Sequence, residues 1–150
     1  MMASKAGFSL PELLAVVALI AIAIAIGIPL VNEQVRIAEV RAAADDLVLH
    51  LRAARMISVA QHRTVVFKVN VDPTNNFSYE VTKDRWRTFR TPERVRIASP
   101  SDSSIQFREN GSVDIASSII LESDVSGARE RWTAVVNTMG STRLVHERVN

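Results

Sequence analysis

Along the chain, the alternation of hydrophobic and polar positions changes rhythm twice. Leu13 to Val31 is a block of 19 residues, 17 of them apolar, all but Gly27 and Pro29. From Val31 to about His62 the apolar positions recur at spacings of three and four. Val40, Ala43, Leu47, Leu51, Ala54 and Ile57, with Ser58, define one face, while Glu33, Arg36, Glu39, Arg41, Asp45, Arg52 and Arg55 lie mostly elsewhere around the turn. That spacing predicts an amphipathic helix with one side against a core. From Thr64 the period drops to two, Val65, Phe67, Val69 and Val71 alternating with Val66, Lys68 and Asn70, the pattern of a half-buried strand. Further short strands are predicted at 77–82, 86–90, 95–98, 104–108, 112–115, 119–122, 132–138 and 142–146. Turn clusters separate them at Asp72-Pro73-Thr74-Asn75-Asn76, Glu109-Asn110-Gly111, Ser126-Gly127 and Met139-Gly140. One long helix followed by an antiparallel meander is an α+β arrangement, with the helix covering one face of the sheet.

The first apolar block has three readings: a secretory signal, a membrane-spanning helix or a buried core helix. A secretory signal carries an apolar stretch of roughly 7–15 residues before its cleavage site. Here a further apolar turn, Ile26 to Ile28, follows the small residues Ala23 and Ala25 that could imitate such a site. Crossing some 30 Å of hydrocarbon takes about 20 apolar residues, which Leu13–Val31 supplies. Lys5 and the free amino group precede it, so the expected orientation leaves the amino terminus in the cytoplasm. Pro29 lacks a backbone donor and predicts a kink near the outer membrane face. With the amphipathic stretch the helix would run roughly 70 Å at about 1.5 Å per residue.

Composition narrows the chemistry. The 150 residues suit one domain plus one appended element. There is no cysteine, which excludes disulfides, thiol catalysis and cysteine-held metals. His50, His62 and His146 are scattered, so no metal cluster and no cofactor is expected. No Gly-rich phosphate loop, His-Glu-x-x-His pair or nucleophile elbow occurs, so no enzymatic activity is expected. Asp45 and Asp46, adjacent on a helix, point about 100° apart and form no carboxylate pair. His62 falls at the helix end, where a cation suits the exposed carbonyls.

Glu12 stands at the edge of the apolar block, and a carboxylate carried toward the bilayer centre costs a few kcal/mol. A short polar leader, Met1 to Gly7, precedes it. The string Gly7-Phe8-Ser9-Leu10-Pro11-Glu12-Leu13-Leu14 resembles the processing signal of type IV prepilins and type II secretion pseudopilins. The resemblance implies that a membrane prepilin peptidase cuts between Gly7 and Phe8 and that Phe8 is then N-methylated. It also implies that the carboxylate of Glu12 pairs with a neighbouring subunit's amino terminus during assembly. Each of these charges is costly alone near lipid, and pairing would set a filament's axial register. The implied division is a leader at 1–7, a transmembrane and assembly helix at 8–31, and a globular domain at 32–150. The implied partners are other pilins or pseudopilins, the peptidase and an inner-membrane assembly platform. The globular domain would lie in the periplasm of a bacterium, then in a filament.

Within those families the carboxy half is similar to the GspH/FimT group. The strand Ile105-Gln106-Phe107 is followed by Gly111, and a late strand, Val135-Val136-Asn137-Thr138-Met139, enters Gly140. The remaining lead is arginine. Formal charge is only +2, but 15 of the 18 basic residues are arginine and the pI is near 9.5. Lys83, Arg85, Arg87, Arg90, Arg94 and Arg96 crowd one segment around Trp86, and Arg129, Arg131 and Arg143 form a second group. Basic residues beside an aromatic can hold phosphates and stack bases. FimT-like minor pilins of some competent bacteria, which the carboxy half resembles, bind DNA through a carboxy-terminal glycine-arginine-x-arginine motif; the corresponding stretch here is Gly140-Ser141-Thr142-Arg143, with serine in place of the first arginine. Two roles follow for these arginines: contacts between subunits through planar, bidentate carboxylate pairing, and DNA binding through Arg129, Arg131 and Arg143.

Overall fold

A computed structural model describes residues 10–71, 74–100, 104–125 and 127–149, with the side chains of 28–30, 99 and 100 left aside. The chain divides into two compact units, Met1–Val35 and Arg36–Asn150. Its elements are one helix, α1 (Leu10–Ala60), and eight strands: β1 (Val65–Asn70), β2 (Asn76–Thr82), β3 (Arg85–Arg90), β4 (Arg96–Pro100), β5 (Ser104–Phe107), β6 (Ser117–Val125), β7 (Ala128–Val136) and β8 (Thr142–Val149). The helix assignment continues through Pro29, one backbone donor short, rather than stopping there. It ends at Ala60 because His62 adopts the left-handed conformation, φ 46°, after which the β-branched run of β1 begins.

Among the described residues the apolar helix of the first unit has no buried side: Leu13, Leu19, Ile22 and Ile26 are all exposed. It is long and apolar enough to cross a membrane. In the second unit the predicted helix face is the buried one. Val40, Ala43, Leu47, Leu51, Ala54 and Ser58 are buried, joined by Ala44 and Val48.

The strands form two antiparallel four-stranded sheets, not one meander. Sheet A runs β3-β2-β1-β5 and sheet B runs β4-β6-β7-β8. The chain thus leaves sheet A after β3, visits sheet B as β4, returns as β5 and finishes in sheet B. Period-two alternation says which side of a strand is buried but not which strand it pairs with, so the exchange of β4 and β5 is silent in the pattern. The predicted strand at 112–115 reduces to a single bridge, Phe107 to Val113. Its neighbourhood is a tight turn in which the amides of Gly111 and Arg108 donate to the carbonyls of Arg108 and Ser112, both at 2.8 Å.

One core joins the helix and both sheets. Sheet A contributes Phe67, Phe77 and Tyr79 with the half-buried Phe89, their rings stacked 5.7–6.0 Å apart. Sheet B contributes Ile97, Ile119, Leu121, Ala134 and Val136. Each fully buried aliphatic or aromatic side chain is worth about 1.5–3 kcal/mol relative to exposure. The core therefore fixes which sheet faces are left to solvent.

Candidate functional site

The predicted processing pair, Gly7 and Phe8, lies outside the described residues. Glu12 is described. It sits in the first turn of α1 and is exposed, where the partial positive charge of a helix start favours a carboxylate. The apolar residues that follow it offer lipid or another helix a continuous surface.

The second group of predicted residues belongs to sheet B. Strand alternation and the register, Arg129 opposite Asp124, Arg131 opposite Glu122 and Arg143 opposite Val135, put all three arginines on one face. On that face the carboxylates sit beside them. Arg131 Nε donates to Glu122 Oε1 at 2.7 Å, and its Nη1 lies 3.6 Å from Glu147 on β8. Arg129 lies 3.5 Å from Asp124, which Arg96 of β4 also approaches at 3.3 Å. Arg143 alone of the three has no ion pair among the described residues. Four positions along the ladder, about 13–14 Å, separate its level from that of Arg131. The structure therefore places the three on one surface without making them one cluster of free cations.

The first arginine group is arranged differently. β3 is an outer strand of sheet A and is exposed on both sides, only Phe89 being half-buried. Arg87 lies over the Phe89 ring at 5.8 Å. On the opposite side Lys68 of β1 sits 4.3 Å over Trp86. Glu80, the nearest β2 carboxylate in the register, is already held by Arg63 at 3.1 Å and accepts the Asp84 amide. Among the described residues Lys83, Arg85, Arg87 and Arg90 have no carboxylate partner.

Three arrangements escaped the sequence reading. His50 is buried on the helix, its ring tilted against those of Phe77, Tyr79 and Phe89, with Nδ1 3.3 Å from the Tyr79 hydroxyl and Nε2 3.3 Å from Asp46. Burial pushes its imidazole below the ordinary value; Asp46 opposes this and Arg87 adds to it. Burial thus favours the neutral imidazole. Its position one residue from the Leu51 face was the available signal. Glu130 is also buried on β7, with His146 Nε2 at 2.6 Å and Arg148 Nε at 3.4 Å. Here the signal was a charge at an inward position of an alternating strand. Finally, the two glycines of the late strand pattern meet. Gly111 and Gly140 both have positive φ, 77° and 74°. A Cβ at Gly140 would run into the Gly111 carbonyl oxygen, which itself accepts Arg55 Nε at 3.1 Å.

Comparison with known proteins fits this geometry. Residues 2–28 match the family described as the prokaryotic N-terminal methylation motif. No curated protein matches in sequence. Among solved structures, the type IV minor pilin FimU of Pseudomonas aeruginosa aligns with 72% of this chain and 89% of its own, at 15% identity and a TM-score of 0.58. The minor pseudopilin EpsH from the type 2 secretion system of Vibrio cholerae aligns with 72% of this chain and 97% of its own, at 14% identity and a TM-score of 0.59. The long helix packed on antiparallel sheets is the fold of these minor pilins.

Proposed function

We propose that this pilin-like chain of GspH/FimT type is a minor pilin or pseudopilin subunit of a type IV pilus or a type II secretion system. The observation that carries the reading is the methylation motif over residues 2–28, which runs into an exposed apolar helix, in a chain whose globular unit has the fold of minor pilins. In this reading the leader, residues 1–7, is removed between Gly7 and Phe8, and Phe8 is methylated. Residues 8–31 anchor the subunit in the inner membrane, and residues 32–150 stand in the periplasm. Glu12 then pairs with a neighbouring subunit's amino terminus, because lipid tolerates its carboxylate best beside an opposite charge. Partners are other pilins or pseudopilins, the prepilin peptidase and the assembly platform.

Intact-mass spectrometry of the protein from its native host tests processing: the expected mature chain begins at methylated Phe8, and a chain still beginning at Met1 would overturn the reading. Glu12→Ala tests assembly. It should leave membrane insertion intact while reducing cross-linking to partner pilins, and unchanged cross-linking counts against the role.

DNA uptake stands second, favoured by Arg143, which lies beside the Gly140 turn and has no ion pair among the described residues. Each phosphate neutralised gives a log–log salt slope near −0.9. Steep salt dependence lost in Arg143→Ala would promote this alternative.

A further inference from the structure

The open side of β3 combines three features that the proposed function does not use. It is a free strand edge, since sheet A ends there. It is dense in cations that have no carboxylate partner among the described residues: Lys83, Arg85, Arg87 and Arg90 on the strand and its turn, with Lys68 nearby over Trp86. It also presents aromatic surface, Trp86 being 41% exposed. The backbone geometry says which groups are free. The Thr91 amide donates to the Asn75 carbonyl at 3.1 Å. Continuing that alternation along the register, Phe89 and Arg87 bond to Phe77 and Tyr79 of β2, so the amides and carbonyls of Trp86, Thr88 and Arg90 point away from the sheet.

We propose that the β3 edge is an interaction surface for an acidic, extended segment of a partner protein, which adds to sheet A as a fifth strand. An exposed edge is a template for another strand. The side chains select its charge: carboxylates at alternate positions would meet Arg85 and Arg87 on one face, where planar guanidinium–carboxylate pairs form readily, while apolar residues between them would meet Trp86. A second copy of this edge is a poor occupant, because it would bring arginines beside arginines, and like charges across a ladder destabilise it. The inference concerns the globular unit alone and holds or fails independently of Glu12 and of processing.

The experiment uses the full chain in detergent micelles, with a short acetylated peptide of alternating glutamate and valine as probe. Its glutamine–valine counterpart and a single-stranded thymidine oligonucleotide serve as comparisons. Binding is read by fluorescence anisotropy, and hydrogen exchange is read amide by amide. The acidic peptide should bind more tightly than the neutral one and slow exchange at Trp86, Thr88 and Arg90, while Arg87 and Phe89, already bonded within the sheet, change little. Replacing Arg85 and Arg87 together by glutamine should weaken binding about tenfold, the sum of two modest surface pairs. Arg129→Gln, which removes a cation from sheet B, should leave binding unchanged. Binding that leaves Thr88 exchange unaltered would overturn strand addition. Preference for the oligonucleotide through the same arginines would overturn the acidic-segment assignment.

Discussion

Arg131 of sheet B lies between two carboxylates, Glu122 at 2.7 Å and Glu147 at 3.6 Å. Arg87 of sheet A has the Phe89 ring at 5.8 Å and no carboxylate among the described residues. Both arginines stand on solvent-facing strands, yet their cross-strand neighbours give them opposite uses. In sheet B the register puts Asp124 beside Arg129 and Glu122 and Glu147 beside Arg131, so the positive charge is spent inside the molecule. At β3 there is no strand on the far side to supply a partner, and the charge remains available to another molecule. Counting arginines along a sequence cannot separate the two. Whether a cation is a binding group or an internal tie depends on the strand next to it.

The contrast can be broken at several points. The largest effect is expected from Gly140→Ala. The β7–β8 turn sets the register that places Glu147 opposite Arg131, and a Cβ there collides with the Gly111 carbonyl at a φ of 74°. Thermal or denaturant unfolding should show a loss of roughly 2–4 kcal/mol. Gly127→Ala is the matched control: its φ is also positive but nothing lies within 4 Å of the added carbon, so only the backbone term, about 1 kcal/mol, should appear. A similar cost for both would show that the glycine contact carries no weight.

Next comes Glu122→Ala. Its side chain is only 16% exposed and Arg131 29%, so the guanidinium loses a poorly solvated partner. The expected loss is about 1–2 kcal/mol, and a double-mutant cycle with Arg131→Met should recover most of it as coupling. Additive single effects would mean that the pair is merely adjacent.

A smaller effect links sheet A to the core. The folded protein holds the His50 imidazole below its ordinary value, chiefly through burial, so the unfolded chain binds protons more readily as pH falls through about 6.5. Stability should therefore be fully present above that value and decline below it. His50→Gln should flatten the decline. Arg87→Gln removes one of the lowering influences and should lessen it. A denaturation midpoint followed between neutral and mildly acidic pH decides this, and an identical slope in both variants would sink the account.

The smallest effect is expected at neutral pH from Arg87→Gln itself, within about 0.5 kcal/mol of the parent. A larger destabilisation would mean that β3's cations are structural after all, which would erase the difference from sheet B.

The sequence by itself determined the local terms. The 17 apolar residues between Leu13 and Val31 required a helix suited to lipid, the three-and-four spacing from Val40 to Ser58 chose the buried face, and alternation located most strands. These follow from periodicity, which each residue carries independently of the rest of the chain. Gly111 and Gly140 were visible as punctuation, but not as neighbours, the carbonyl of one lying where a side chain on the other would begin. Tertiary structure alone decided that β4 and β5 exchange sheets, that Glu130 would be buried beneath His146 and Arg148, and which arginines would meet carboxylates. Those outcomes rest on strand order and register, which bring together residues up to dozens of positions apart. Alternation reports only the face of each strand, and it is silent about the neighbour across the ladder.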